Sequence, residues 1–426
     1  YVSPFYQREK ELGGFFDNEV AGWERALAYE SNQQKLENYL KEIPIRENEW
    51  DRRHVPYEIA NAEHLAMSDS VGMINLSHFP IMDIEGKDAE RMLEYLSLAK
   101  VGGDTPEGRM IYTNFLDEDG GVHADLTISR LGKDRYRVVT GGADGNRDWL
   151  TLRNYRDDKG LDADIKIRTH DIATLGLWGP QAKNALGHFI DPNEITIENF
   201  PFVAAKNLTL NLSGGKKIDV WASRISYVGE SGWEIYLNND SEEGLALYDS
   251  LLEVGVVPVG IETYANSRRL EKSFRLQGAD LETEYNACES AIERRLVKEA
   301  DFHGKAAHLS HREEDPSAIL CTMTIDDLSV SGGLRYPVGT SPIIDPLTGE
   351  VPVDSKGRRS YATGMSYCPS IKQFVVMGYL PKNIAVPGKS LSLEYFNEDG
   401  DGVYPMTVQI AGKGSLYDPK NEKVRA

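Results

Sequence analysis

The chain of 426 residues carries 67 acidic and 47 basic side chains, a formal net charge of −20, and is 40% hydrophobic and 27% charged. That length allows two or three domains with a sizeable core. The charge disfavours nucleic acid and anionic membranes as partners, although a local cluster of Lys or Arg would still admit an anionic small ligand. No run of about eighteen apolar residues occurs, so no membrane-spanning helix is expected.

The opening YVSPFYQREKELGG is polar, lacks Met and has no signal-peptide pattern, which leads us to expect a processed or trimmed chain or the later part of a longer polypeptide. Further on, two segments share one pattern of strand, Gly and amphipathic helix. The first is PIMDIEGKDAERMLEYLSLAK, with Gly86, Ala89 and Leu93; the second is ATLGLWGPQAKNALGHFI, with Gly179, Ala182 and Leu186. They predict two related α+β units rather than one doubly wound sheet. Met92, Tyr95 and Leu96 read as a core stripe.

Between these segments lies YTNFLDEDGGVHADLTISRL (112–131), which predicts a hairpin: a strand ending near Leu116, a turn at Asp119-Gly120-Gly121 and a second strand from Val122. Ala124, Leu126 and Ile128 then share a core face, and Asp125, Thr127 and Ser129 the opposite one. A carboxylate between small hydroxyls is unusual on a central strand; an exposed sheet face is the plain alternative. A second polar hairpin is VWASRISYVGESGWEIYL (220–237), in which Gly229-Glu230-Ser231-Gly232 form the turn and Trp233, Ile235 and Leu237 alternate with Glu234 and Tyr236. A Glu between glycines can approach a ligand with little steric hindrance, or can be an ordinary turn residue. EEGLALYDSLLEVG predicts a helix with Leu245, Tyr248, Leu251 and Leu252 at helical spacing.

Beyond about residue 310 the character changes. HREEDPSA reads as a linker, and ILCTMTI, YATGMSY, FVVMGYL, SLSLEYF and YPMTVQI read as strands of a β-barrel or sandwich. The domain boundaries expected are 1–310 and 311–426. The tail SLYDPKNEKVRA should be surface-bound or frayed. His303, His308 and His311, with Cys321 further on, fit no zinc spacing and read as solvated histidines in a polar linker, so no metal site is expected. Cys288, Cys321 and Cys368 are far apart without CxxC spacing, as for reduced thiols in a cytosolic-type compartment; the cytoplasm, or the mitochondrial matrix in a eukaryote, is the expected location. No G-x-G-x-x-G follows a strand, and no P-loop, zincin helix or G-x-S-x-G elbow occurs.

Taken together, GGVHADLTISRL and YVGESGWEIY resemble the two signatures of the glycine-cleavage T-protein (aminomethyltransferase) family. SPFYQREKELGGFF…AGWERA, EHLAMSDSVGMINLS, NSRRLEKSFRLQGAD, DFHGKAA and VVMGYLP are similar to the folate-binding half of dimethylglycine and sarcosine oxidases and dehydrogenases. The resemblance implies an α+β, three-domain cloverleaf around a tetrahydrofolate site, with a C-terminal β-barrel. It implies a functional aspartate at Asp125 beside N10 of the folate, cofactor contacts from Tyr112, Thr127, Tyr227 and Gly232, and a carboxylate at Glu230 that pairs with the pterin edge. A pterin edge offers two parallel donors, which suit a bidentate carboxylate. Departures are also present: Ala265 stands where the T-protein usually has Arg, and ETEYNACESAI, residues 329–339 and the insert IIDPLTGEVPVDSKGRRS diverge.

The function expected is transfer of a methylene or methyl group from a small methylated amine-type donor to tetrahydrofolate. Oxidation of the donor would then fall to a flavin oxidoreductase subunit or to a flavin domain ahead of this segment. The rivals are a non-catalytic folate-binding or regulatory module and a folate-dependent O- or S-demethylase.

Overall fold

A computed structural model describes residues 1–426 apart from 17, 42–56, 104, 329–339 and 398–399, so the divergent stretch 329–339 lies outside the described residues. Three sheets organise the fold. The first runs Met110–Leu116, Val122–Gly132, Arg135–Thr140, Ile81–Glu85, Asp164–Ile167 in spatial order, all antiparallel. The second runs Ala205–Asn211, Lys217–Ser223, Gly232–Asn238, Ile172–Trp178, Gly72–Asn75, Val257–Pro258, with only the last pair parallel. The chain therefore enters the second sheet at Gly72, leaves it to build the whole of the first, and returns at Ile172.

Both predicted strand–Gly–helix junctions are present. Ile81–Glu85 leads through Gly86 into helix Ala89–Leu96, and Ile172–Trp178 leads through Gly179 into helix Ala182–Leu186. The glycines have φ of +147° and +135°, and a Cβ would lie 2.2 Å from the Asp162 carbonyl oxygen or 2.3 Å from that of Ser70. Only a residue without a side chain fits such a turn. Ala89, Met92, Leu93 and Leu96 are buried under the first sheet, and Ala182 and Leu186 under the second.

The helix predicted near residue 245 runs Ser241–Glu253, but its buried stripe is Gly244, Leu247, Tyr248 and Leu251, not Leu245 and Leu252. The N-terminal segment accounts for the offset: Pro4 packs directly on Gly244, and Phe5 on Tyr248 at 5.7 Å between ring centroids.

All five predicted C-terminal strands form, joined by a short sixth that was not predicted, Ile343–Ile344, in the order Ile343–Ile344, Ser390–Asn397, Gly400–Ala411, Ala318–Ile325, Gln373–Pro381, Ala362–Cys368. A bridge between Pro342 and Tyr361 links the two edges, so the sheet curls around its own core of Met323, Val376, Leu393 and Met406. Helix Lys305–Glu313 runs into the first three residues of the expected linker and buries His308, which is 1% exposed. Desolvation pushes its pKa down to about 4, so His308 is a neutral core histidine rather than a solvated one. Among the described residues no cluster of His, Cys, Asp or Glu could hold a metal ion, and no helix is long and apolar enough to cross a membrane. The tail is tied down instead of frayed: Lys272 Nζ donates to the carbonyl oxygens of Tyr417 and Asp418 at 3.0 and 2.9 Å.

Candidate functional site

The hairpin 112–131 forms as predicted, with Asp117 accepting from the Gly121 amide at 2.7 Å to close its turn. Pairing places Asn114 opposite Asp125 and Tyr112 opposite Thr127, so the four side chains share one face, while Ala124, Leu126 and Ile128 pack into the core on the other. Asn114 Nδ2 donates to Asp125 Oδ1 at 2.9 Å, and the Tyr112 hydroxyl bonds the same carboxylate. Burial outweighs those two bonds and pushes the Asp125 carboxyl up to about 6, with Asp144 and Asp148 adding in the same direction. An exposed sheet face would not do this.

Tyr112 is 43% exposed, yet desolvation drives its hydroxyl pKa well above the ordinary value. A ring that meets solvent while protein surrounds its hydroxyl lines a recess. Tyr227 belongs to the same wall: its hydroxyl donates to the Arg275 carbonyl at 2.6 Å, and its ring lies 5.1 Å from Tyr264 and 5.7 Å from Phe274. The charge of Asp125 acts on the hydroxyls of Tyr112, Tyr227 and Tyr264.

Glu230 and Glu234 have separate surroundings. Glu230 is 2% exposed, and its Oε1 accepts from Arg268 Nη2 at 2.7 Å and from the Tyr417 hydroxyl at 2.6 Å. Arg268 also pairs with Glu271 at 2.8 Å, and Glu271 with His64 at 3.2 Å; the His64 ring nitrogens contact Ser267 at 2.8 Å and Ser370 at 2.7 Å. This buried network joins helix Tyr57–Asp69, the turn at Glu230, the C-terminal sheet and the tail. Gly229 and Gly232 serve backbone packing: a Cβ would meet the Lys272 chain at 2.7 Å or the Leu177 carbonyl oxygen at 1.9 Å.

Glu234, four residues on, sits on the central strand Gly232–Asn238 and is only partly buried. Its pKa is pushed up to about 7 by desolvation, against a hydrogen bond from Tyr236. Tyr264 feels the charges of both Glu234 and Asp125. The recess between the first and second sheets thus holds two desolvated carboxylates flanked by Tyr112, Tyr227 and Tyr264, with Thr127 beside Tyr112. Of the residues predicted from sequence, it gathers Asp125, Tyr112, Thr127 and Tyr227, whereas Glu230 and Gly232 lie in buried packing. Sequence reasoning passed over Glu234 and Tyr264. The signal for Glu234 was the one that drew attention to Asp125: a carboxylate alternating with Trp233 and Ile235 on a strand.

Chemically, such a recess suits a flat heterocycle with hydrogen-bond donors on its edge: carboxylates accept, and tyrosines supply ring faces and polar tips. A family profile described as the GCVT N-terminal domain matches residues 5–299. The chain is 28% identical over 423 residues to the mitochondrial dimethylglycine dehydrogenase of Homo sapiens, matching 96% of this chain and 43% of that protein. To the Mus musculus protein of the same name it is 29% identical over 375 residues, with 84% and 38% matched. It therefore spans about two fifths of the length of these curated relatives. The crystal structure of the glycine cleavage system aminomethyltransferase T from Bartonella henselae superposes with a TM-score of 0.73 at 22% identity, covering 96% of this chain and 97% of that one, and shows the shared fold.

Proposed function

The chain belongs to the GCVT aminomethyltransferase family, and on that footing we propose that it moves a one-carbon unit from a methylated amine-type donor to tetrahydrofolate in the recess between the first and second sheets. The observation that carries this reading is the pair of desolvated carboxylates, Asp125 and Glu234, acting on one tyrosine, Tyr264. Bound tetrahydrofolate supplies the nucleophilic nitrogens that accept the unit.

Glu234, rather than Glu230, takes the pterin edge in this reading. Its carboxyl is desolvated but only partly buried, whereas Glu230 Oε1 is occupied by Arg268 and Tyr417. Asp125 is ionised above about pH 6 and sits among donors that hold it in place, so it can stabilise positive charge on an incoming amine-derived unit and exchange a proton with it. Tyr112 and Tyr227 bracket the flat ligand and help to exclude water. Oxidation of the donor is assigned to a flavin protein acting with this chain, in keeping with relatives more than twice its length that are named dehydrogenases. A purely binding module would have no use for an ionisable, desolvated Asp125.

The test follows from Glu234. A carboxyl with a pKa of about 7 that turns acceptor for pterin N–H groups must lose its proton. Titration calorimetry of tetrahydrofolate at pH 7, in buffers of different ionisation enthalpy, should show release of roughly half a proton per ligand, vanishing near pH 9 and in Glu234→Gln. Binding without proton release, or no binding, would remove the basis for the assignment.

A further inference from the structure

Arg294 is an unpaired cation at the rim of the recess. Its Nη2 donates to the carbonyl oxygen of Tyr112, on the outer edge of strand Met110–Leu116, and the segment is braced by Arg312 Nη1, which donates to the Arg294 carbonyl at 2.7 Å. Among the described residues no carboxylate lies within 4.0 Å of the Arg294 guanidinium, whereas the buried Arg268 and Arg269 are each held by one. Nearby acids are engaged elsewhere: Glu293 with Lys413 at 2.8 Å and Glu94 with Lys298 at 3.1 Å. Burial lowers the Arg294 pKa, and the only charge opposing that is the Tyr112 hydroxyl. Arg275 approaches the same ring from within: its Nε, Nη1 and Nη2 donate to the carbonyls of Ser290, Ser273 and Gly412, and its charge acts on both Tyr112 and Tyr227. A half-desolvated guanidinium without a counter-ion, next to an opening, is a binding position for an anion.

We propose that Arg294, backed by Arg275, binds the glutamyl carboxylates of the folate where that end of the ligand leaves the recess past Tyr112. This rests on the folate reading above and adds to it the group that recognises the acidic end, whereas Asp125 and Glu234 serve the heterocycle. The cationic rim also gives a ligand of the same sign as the protein a local attraction.

Two ligands separate the roles: tetrahydrofolate, and tetrahydropteroate, which has the same ring system but no glutamate. The wild-type protein should bind tetrahydrofolate at least tenfold more tightly. Arg294→Gln should weaken tetrahydrofolate binding about tenfold and leave tetrahydropteroate binding unchanged, which also reports that the variant is folded. Equal affinities in the wild type, or equal weakening of both ligands by the substitution, would overturn this role for Arg294 while leaving the folate reading in place. Failure of the wild type to bind either ligand would overturn both.

Discussion

Replacing Asp125 by Asn should slow transfer and, at neutral pH, stabilise the fold. The carboxyl stands at about 6 in the folded chain against 3.8 for an unperturbed aspartate. A gap of about two, at about 1.4 kcal/mol each, places roughly 3 kcal/mol of unfavourable charge in the recess once the group is ionised. Partial exposure of the side chain reduces this to about 1–2 kcal/mol. Between pH 3.8 and about 6 the folded state holds a proton that the unfolded state has released, so stability falls as pH rises through that window and is level above it. Asn carries no charge and still accepts from Asn114 and Tyr112 through its amide oxygen. Asp125→Asn should therefore raise the melting temperature by about 1–4 °C at pH 7.5, with the gain gone below pH 4. Transfer, assayed with a competent donor, should fall by about two to four orders of magnitude, with tetrahydrofolate affinity within about tenfold of wild type. Thermal melts at the two pH values decide the electrostatic part. A melting temperature that drops at pH 7.5 would mean that the carboxylate is structurally required, and unchanged turnover would refute its part in the chemistry.

Other expectations concern separate regions. Glu234→Gln should weaken tetrahydrofolate binding by about 2–3 kcal/mol without loss of stability, since it too removes a desolvated charge, whereas Glu230→Gln should cost about 2–3 kcal/mol of stability by loosening the buried Arg268 pair; titration and denaturant melts that gave the reverse pattern would exchange the two roles. Gly86→Ala should destabilise by about 3 kcal/mol, because the methyl would meet the Asp162 carbonyl at 2.2 Å; a urea midpoint within error of wild type would contradict the strain argument. Purified with folate and FAD both available, the chain should carry folate and no flavin, because neither Gly86 nor Gly179 opens a Gly-rich phosphate turn; a stoichiometric flavin absorbance would refute that.

The elements set by local pattern were legible in the sequence: the hairpin at 112–131, the two strand–Gly–helix junctions and the five C-terminal strands. Asp125 was legible for the same reason, since a lone carboxylate on an alternating strand breaks the pattern. Glu230 and Glu234 could not be sorted, because both lie in the second hairpin and what separates them is remote. Arg268, 38 residues further along the chain, and Tyr417 occupy Glu230, while Tyr264 and Asp125 approach Glu234. His308 was misread because the polar sequence around it belongs to a helix whose inner face is covered by Phe302, with ring centroids 6.1 Å apart. Arg294 offered no signal, since an unpaired cation is defined by the carboxylates that fail to reach it.

The interruption of the second sheet governs the order of events during synthesis. The strand Gly72–Asn75 emerges first and then waits while all five strands of the first sheet are made, from Ile81 to Ile167. That unit begins and ends at one point, with the Arg168 amide donating to the Ile81 carbonyl at 2.7 Å, so it can close on itself while the rest of the chain is still unmade. It then acts as a pre-formed loop that holds Asn75 and Ile172 near each other, shortening the search by which the waiting strand finds its partner. Lengthening the crossing between Asn75 and Ile81 would therefore slow completion of the second sheet far more than that of the first.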